Sequence, residues 1–346
     1  MVAALFLWYA ENARDLPWRR THDPYAIWVS EIMLQQTQVI TVIPFWEHWM
    51  HELPTIKAVA NAKPNKIHKL WEGLGYYTRA RNLQKAAQTI VREHGGQFPS
   101  RFDDVLALPG VGRYTAGAIC SIAFNQPMPI LDGNVIRVLT RTFGIAKDPR
   151  EKETNQLLWQ IAEELVHRAH DTKAKNACSH LNQSLMELGA LICTPRNPQC
   201  TICPAKKLCL AFREDRIAEL PNTGKRAAAT ARQFIAFVID RDGKFLVRQR
   251  PAGVVNAHLW EFPNLETNGE KKSPAACFKL HFEFAPTSLE SLCSFKHSIT
   301  RYRITLEAFR VKLSKDLKIP AGTWQTKRQL ERLAFTSAHK KILAHL

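Results

Sequence analysis

No stretch of this 346-residue chain approaches the roughly 18 uninterrupted apolar residues that a membrane-crossing helix needs, so no membrane span is expected. The apolar start Leu5-Phe6-Leu7-Trp8-Tyr9 lacks a basic lead and a small-residue cleavage site, and it runs straight into Glu11, Asn12, Arg14 and Asp15. It reads as an amphipathic helix rather than a secretion signal. Negative charge is scarce: 31 Asp and Glu stand against 48 Lys and Arg, a formal charge of +17. A surplus of that size draws polyanions, nucleic acid first and acidic membrane second. Internal repeats and low-complexity tracts are missing. Cys120, Cys178, Cys277 and Cys293 are scattered singly, which argues against an oxidised secreted scaffold and for a reducing compartment, taken as the cytoplasm.

The other four cysteines are not scattered. Cys193, Cys200, Cys203 and Cys209 follow a Cys-x6-Cys-x2-Cys-x5-Cys ladder, a spacing that lets one loop wrap a compact centre. Tetrathiolate sites hold zinc or an iron-sulfur cluster. Structural zinc more often uses two short knuckles separated by a longer stretch, so this asymmetric ladder favours a [4Fe-4S] cluster.

The length suggests about two domains, and the sequence pattern changes where that division would fall. Residues 1–211 place apolar residues three and four apart, as in Ala26–Gln38, Arg79–Glu93, Tyr114–Ala123 and Val135–Phe143, and read as helical. Residues 212–231 turn polar, with Pro221, Gly224 and Lys225-Arg226-Ala227-Ala228-Ala229, and read as a linker. From 232 to 346 short β-rich runs take over. Phe234–Ile239 and Lys244–Val247 flank Asp242-Gly243 and predict a hairpin, and further runs lie at Leu292–Phe295 and Tyr302–Lys312. The expected architecture is a mostly α N-terminal region joined to an α+β C-terminal domain.

Two motifs in the helical region carry chemistry. Leu108-Pro109-Gly110-Val111-Gly112-Arg113, between helical stretches at about 103–124, resembles a helix-hairpin-helix. Gly110 and Gly112 permit a tight turn whose N–H groups, with the next helix N-terminus, suit a phosphate. Farther on, Asp132 precedes an apolar-periodic helix as an N-cap would. The helix dipole and backbone N–H groups would keep it ionised, so that it can support a developing cation.

Together with the cysteine ladder, these features resemble the endonuclease III superfamily of DNA glycosylases, and within it the A/G-specific adenine glycosylases. The resemblance is carried by Leu16-Pro17-Trp18-Arg19, by Ser30-Glu31-Ile32-Met33-Leu34-Gln35-Gln36-Thr37, by Gly73-Leu74-Gly75-Tyr76-Tyr77-Thr78-Arg79 and by Asp132-Gly133-Asn134. It covers essentially all of residues 1–211. It implies a helix-hairpin-helix fold with an iron-sulfur loop at 193–209, acting on double-stranded DNA that holds adenine opposite 8-oxoguanine or guanine. It also implies that Glu31 protonates adenine and later activates water, that Asp132 stabilises the sugar cation, and that Tyr114 and Asn134 assist. Apolar neighbours Ile27, Trp28 and Leu34 at helical spacing would raise the pKa of Glu31. Gln36 and Tyr76 would enter the base stack, while Trp18, Arg19, Leu34 and Gln183 would line the adenine pocket. Plain core packing is the competing reading for Trp18 and Tyr76. The position after Gly-Val-Gly-Arg, a lysine in the strand-cleaving branch, is Tyr114 here. A monofunctional glycosylase is therefore expected.

The same resemblance makes the C-terminal domain Nudix-like and a reader of the base opposite adenine. It lacks the Glu-rich helix on which Nudix enzymes bind magnesium, so nucleotide hydrolysis is not expected. The family's Phe-Ser-His loop falls on Ile299-Thr300-Arg301, where Thr300 would replace the serine as donor, with Ser298 or His297 as alternatives. The expected protein is a DNA-associated monomer. A thymine-mismatch or oxidised-pyrimidine glycosylase and a non-catalytic iron-sulfur DNA-binding protein are the competing readings.

Overall fold

A computed structural model describes residues 1–224, 228–267, 273–299, 301–313 and 322–346. The chain forms two compact units, Met1–Asn61 with Asn82–Arg226 and Ala62–Arg81 with Ala227–Leu346. Among the described residues no helix is long and apolar enough to cross a membrane.

The first unit is helical. It opens with α1 (Val2–Asn12), α2 (Pro24–Leu34), α3 (Val39–Glu52) and α4 (Ile56–Asn61). Next come α5 (Pro64–Leu70), which belongs to the second unit, and α6 (Thr78–Glu93), whose residues from Asn82 onward belong to the first. α7 (Phe102–Leu106), α8 (Arg113–Phe124), α9 (Gly133–Phe143), α10 (Lys152–Asp171), α11 (Ala177–Leu191) and α12 (Leu210–Arg213) complete it. α2 begins where Asp23 accepts the Tyr25 N–H at 3.0 Å and Pro24 takes the first helical position. Every residue from Tyr25 to Met33 is buried, because α2 is packed between α3 and α8. It stops at Leu34, short of the expected Gln38, because Gln36 turns the backbone to a φ of +56°.

The α7–α8 turn explains its glycine. Gly110 has a φ of +79°, and a Cβ there would lie 2.6 Å from the Asn82 Cβ. The small run Ala116-Gly117-Ala118 lets α8 pack closely: a Cβ on Gly117 would stand 2.2 Å from the Pro129 carbonyl oxygen. α11 packs against both α8 and α9, so α2, the start of α8, the start of α9 and the middle of α11 share one neighbourhood.

The second unit is built on a sheet of β1 (Thr230–Arg241), β2 (Lys244–Gln249), β3 (Trp260–Glu261), β4 (Asn264–Glu266), β5 (Ser288–Ile299), β6 (Tyr302–Lys312) and β7 (Thr323–Thr326). The order is β3-β2-β1-β6-β5, with β4 on β1 and β7 on β2, and among these pairs β1 and β6 run parallel. The expected hairpin is present, with Arg241 paired to Lys244 across Asp242 and Gly243, both at positive φ. β1 reads as a continuous apolar run because both of its faces are covered. Ala236 and Val238 pack with Phe335 and Ile342 on one side, and Phe237 and Ile239 with Cys277 and Phe278 of α13 (Pro274–Phe282) on the other. α14 (Lys327–Leu330) and α15 (Ser337–Leu343) follow the last strand. Residues 62–81, expected within the helical region, group with this unit because side chains at 69, 72, 77 and 81 bond to residues 257, 333, 335 and 340. The helix α13 carries the sequence Pro-Ala-Ala-Cys-Phe-Lys-Leu-His-Phe and no carboxylate.

Candidate active site

The shared neighbourhood of α2, α8, α9 and α11 encloses a cavity of about 560 Å³, well within the size of small-molecule sites. Its walls hold Glu31 from α2, Tyr114 from the first turn of α8, Asp132 and Asn134 from the start of α9, and Gln183 from α11. Trp18, Arg19, Leu34 and Gln36 line it as well. Nine of the residues singled out from sequence thus meet in one place, although they span positions 18 to 183.

Glu31 is 5% exposed and receives a hydrogen bond from the Tyr114 hydroxyl at 3.0 Å. Burial pushes its carboxyl up to about 7; the Tyr114 hydrogen bond and the Arg19 charge oppose that rise, and the Asp132 charge adds to it. Tyr114, driven upward by burial and by the neighbouring carboxylates, stays a neutral phenol. Asp132 caps α9, accepting the N–H groups of Asn134 at 3.0 Å and Val135 at 2.8 Å, while the Asn134 amide donates to its second oxygen at 3.1 Å. Burial raises the Asp132 carboxyl, and the three hydrogen bonds with the Arg137 charge hold the rise back.

Sequence reasoning missed Glu187. It is fully buried on α11 and lines the cavity, with Arg14 and Arg19 each donating twice to its side chain at 2.7–3.1 Å. Burial raises this carboxyl too, but the two guanidiniums outweigh it and hold Glu187 down to about 2. Arg19 is thereby fixed at the pocket wall, committed to Glu187. Gln183 is pinned between the Tyr9 hydroxyl, which donates to its Oε1 at 3.1 Å, and Ser179, whose Oγ accepts from its amide at 2.9 Å.

Trp18 bears on its competing core reading, and the remaining described candidates lie outside the cavity. Trp18 is both core and pocket wall, buried and edge-on to Trp46. Tyr76, in the second unit, is 43% exposed, so core packing does not account for it. Gly110 and Gly112 form the α7–α8 turn and do not line the cavity. Alternation along β5 leaves Ser298 exposed and turns His297 inward, and Thr300 lies outside the described residues.

The four clustered cysteines line one cavity with Val138, Leu188, Ile192 and Arg141, whose Nη1 lies 3.5 Å from the Cys193 sulfur. A soft donor set, an apolar shell and an adjacent cation fit a thiolate-bound inorganic centre. Burial pushes the Cys203 thiol up to about 11, so its thiolate needs a positive centre beside it. Among the described residues no three His, Cys, Asp or Glu converge closely enough to hold a single metal ion.

Comparison with known proteins agrees with this geometry. Residues 29–164 match the HhH-GPD superfamily of base excision DNA repair proteins, and residues 234–345 match the NUDIX domain. The adenine DNA glycosylase of Rattus norvegicus is 35% identical over 399 residues, covering 98% of this chain and 76% of its own length. That of Buchnera aphidicola subsp. Schizaphis graminum is 36% identical over 313 residues, covering 89% of this chain and 86% of its own. Among solved structures, a thermostable thymine-DNA glycosylase superposes with a TM-score of 0.55 at 30% identity, covering 62% of this chain and 95% of that one. A non-covalent endonuclease III–DNA complex, at 20% identity and a TM-score of 0.50 over 62% of this chain and 94% of that one, shares the fold. With identity above 30% along nearly the whole chain and the pocket residues gathered in one cavity, this chain belongs to the adenine DNA glycosylases of the HhH-GPD superfamily.

Proposed function

We propose that this protein hydrolyses the N-glycosidic bond of adenine mispaired with 8-oxoguanine or guanine in double-stranded DNA and leaves an abasic site. The observation that carries the reading is a glutamate poised at about 7, hydrogen-bonded to a phenol, in one cavity with a capped aspartate. Adenine leaves poorly as an anion, so its ring needs a proton before the bond breaks. Glu31, whose carboxyl burial raises to about 7, donates it, to N7 by resemblance to the family. The C1′–N9 bond then breaks with its electron pair leaving on the purine, and the Asp132 carboxylate supports the positive sugar. Glu31, now a carboxylate, takes a proton from the water whose oxygen bonds to C1′. Asn134 keeps the Asp132 side chain oriented.

The target nucleotide must leave the stack before this chemistry. Gln36 and Tyr76 are the residues proposed to fill the vacancy. Trp18, Arg19, Leu34 and Gln183 enclose the extruded adenine, and exposed Ser298 is the described candidate for contacting the opposite base. Tyr114 carries no amine for Schiff-base formation, which supports a monofunctional enzyme without efficient strand cleavage. Gly110 and Gly112 offer backbone N–H groups to phosphate.

Cys193, Cys200, Cys203 and Cys209 are proposed to hold a [4Fe-4S] cluster. Four thiols lining one cavity, on the asymmetric Cys-x6-Cys-x2-Cys-x5-Cys spacing, support a cluster over a zinc ion held by two short knuckles. Bound there, the cluster supplies a rigid centre for the 193–209 loop, whose Arg196, Lys206 and Lys207 are available to phosphate. Brown protein with about four irons and four sulfides per chain supports the assignment. Colourless protein containing zinc overturns it.

The deciding assay is single-turnover excision from duplexes with adenine opposite 8-oxoguanine, guanine or thymine, analysed with and without alkali. Strand breaks only after alkali, fastest opposite 8-oxoguanine and absent opposite thymine, are expected. A further duplex with thymine opposite guanine tests the reading suggested by the thymine-DNA glycosylase structure; excision there alone would replace the proposal. The protein is expected to act as a monomer, since one chain supplies the whole pocket.

A further inference from the structure

The turn that carries Tyr76 has an anchorage that nothing in its local sequence announces. Glu72, at its foot, has a side chain only 4% exposed. Its carboxylate accepts the Phe335 N–H at 2.8 Å, Lys69 Nζ at 2.8 Å and Lys340 Nζ at 2.9 Å. Phe335 is fully buried in the core beneath the sheet, and Lys340 lies on α15. Flanking bonds point the same way: Lys69 Nζ also donates to the Leu333 carbonyl at 3.1 Å, and Arg81 Nη1 to the Ala257 carbonyl at 3.2 Å.

Above that foot the backbone is unusual. Gly73, Gly75 and Tyr76 have φ values of +120°, +71° and +46°. Arg79 Nη2 donates to the Leu74 carbonyl at 3.1 Å, and the Trp71 indole donates to the Gly75 carbonyl at 3.0 Å. A tyrosine at positive φ is strained, and such a conformation persists only where its surroundings over-determine it. Tyr76 gains no burial from the arrangement, since 43% of it is exposed. The strain therefore serves the direction in which the ring is presented. A carboxylate withdrawn from water is retained only when it is well paired, and Glu72 draws two of its three donors from positions 335 and 340.

We propose that Glu72 is a positioning residue for Tyr76, and that through it the C-terminal unit holds the Gly73–Tyr77 turn in the conformation that presents the tyrosine to DNA. This assigns the C-terminal unit a task besides contacting the opposite base. The inference rests on the reading of Tyr76 as a residue that enters the base stack.

The test uses the 346-residue, cluster-loaded protein with duplexes holding the target adenine, for excision, and matched duplexes in which 2-aminopurine replaces that adenine, so that its fluorescence reports extrusion. Glu72→Ala and Tyr76→Ala are each expected to slow single-turnover adenine excision about tenfold, as a misplaced group does. Each should also reduce the fluorescence rise, and the double variant should be no slower than Tyr76→Ala alone, because both act through one step. Lys340→Ala, at a half-exposed position that the fold tolerates more readily, should show a smaller loss with the same non-additivity. Losses that multiply in the double variants overturn the proposal. Unchanged excision and fluorescence in Lys340→Ala and Glu72→Ala, with Tyr76→Ala slow, overturn it while leaving the Tyr76 reading intact. Unchanged excision in Tyr76→Ala removes both. Should Glu72→Ala fail to fold, Lys340→Ala decides alone.

Discussion

Each unit buries a glutamate, and the two are pushed in opposite directions. Glu31 in the helical unit is 5% exposed and Glu261 on β3 is 3% exposed, so desolvation bears on both. Burial raises both carboxyls; Glu261 nevertheless ends below its ordinary value because Arg250, His339 and Arg248 surround it, with Arg248 Nε at 3.0 Å and Arg250 hydrogen-bonded to its other oxygen. Glu31 ends at about 7 because its bonded partner is a neutral phenol. A guanidinium does stand at the same cavity, but both Arg19 Nη atoms donate to Glu187. Burial alone does not make a general acid. The rise from burial survives where no cation bonds to the carboxylate directly, and in this pocket Arg19 bonds to Glu187 instead.

The largest break in this contrast is Glu31→Gln. Excision should fall by about 10³-fold or more, since general acid and base roles are both lost. Loss of activity alone has many causes, so the sharper readout is stability. With a folded-state value near 7 against an ordinary 4.5, Glu31 favours the native state below about pH 4.5, and that contribution is lost as pH rises to 7. Above pH 7 the buried carboxylate costs about 3 kcal/mol, a cost that glutamine removes. The inactive variant should therefore melt higher than the parent at pH 8 and close to it at pH 4. A melting difference that does not grow with pH would show that Glu31 carries no raised carboxyl.

Glu261→Gln should do the reverse, with a smaller effect. Its folded-state value is lowered, so the native state gains from the charge above the ordinary carboxylate range and loses it as pH falls through the folded value. Removing the charge should cost about 2 kcal/mol at pH 7, less than for a fully buried ion pair because Arg248 and Arg250 are partly exposed. Urea denaturation at pH 7 and pH 3 checks it: a penalty at pH 7 that fades in acid is expected, and an equal penalty at both would mean that packing, and not charge, is what Glu261 contributes.

How much of this contrast was visible in the chain depends on the range of each signal. Asp132 was legible because an N-cap is written within three residues, and the hairpin because Asp242-Gly243 dictates its own turn. Glu31 was legible through neighbours one helical turn away, of which Ile27 and Leu34 do line the cavity. Glu187 was not, because the arginines that define it lie more than 160 residues away in sequence. One faint signal existed: it is the single acidic residue of α11, whose other side chains are apolar, small or neutral polar apart from His180. The end of α2 was misjudged because neither glycine nor proline marks the left-handed Gln36. The attachment of residues 62–81 to the C-terminal unit leaves no local pattern at all, since a helix written by periodicity does not name its partner.

The smallest effect tests the contrast most finely. Tyr114→Phe deletes the hydrogen bond that the phenol gives Glu31 and leaves its burial nearly intact. That bond favours the carboxylate and so lowers the Glu31 value, against the larger rise from burial. Without it the proton should be held to higher pH, by about one unit for a hydrogen bond to a charged group. Excision requires the protonated form, so the alkaline limb of the pH–rate profile, expected near pH 7 in the parent, should move upward in Tyr114→Phe. A limb that moves down would mean that Tyr114 supplies a proton to the reaction and not merely a bond to Glu31. A limb that stays in place would show that the group titrating near neutrality is not Glu31, and the difference between the two buried glutamates would no longer account for catalysis.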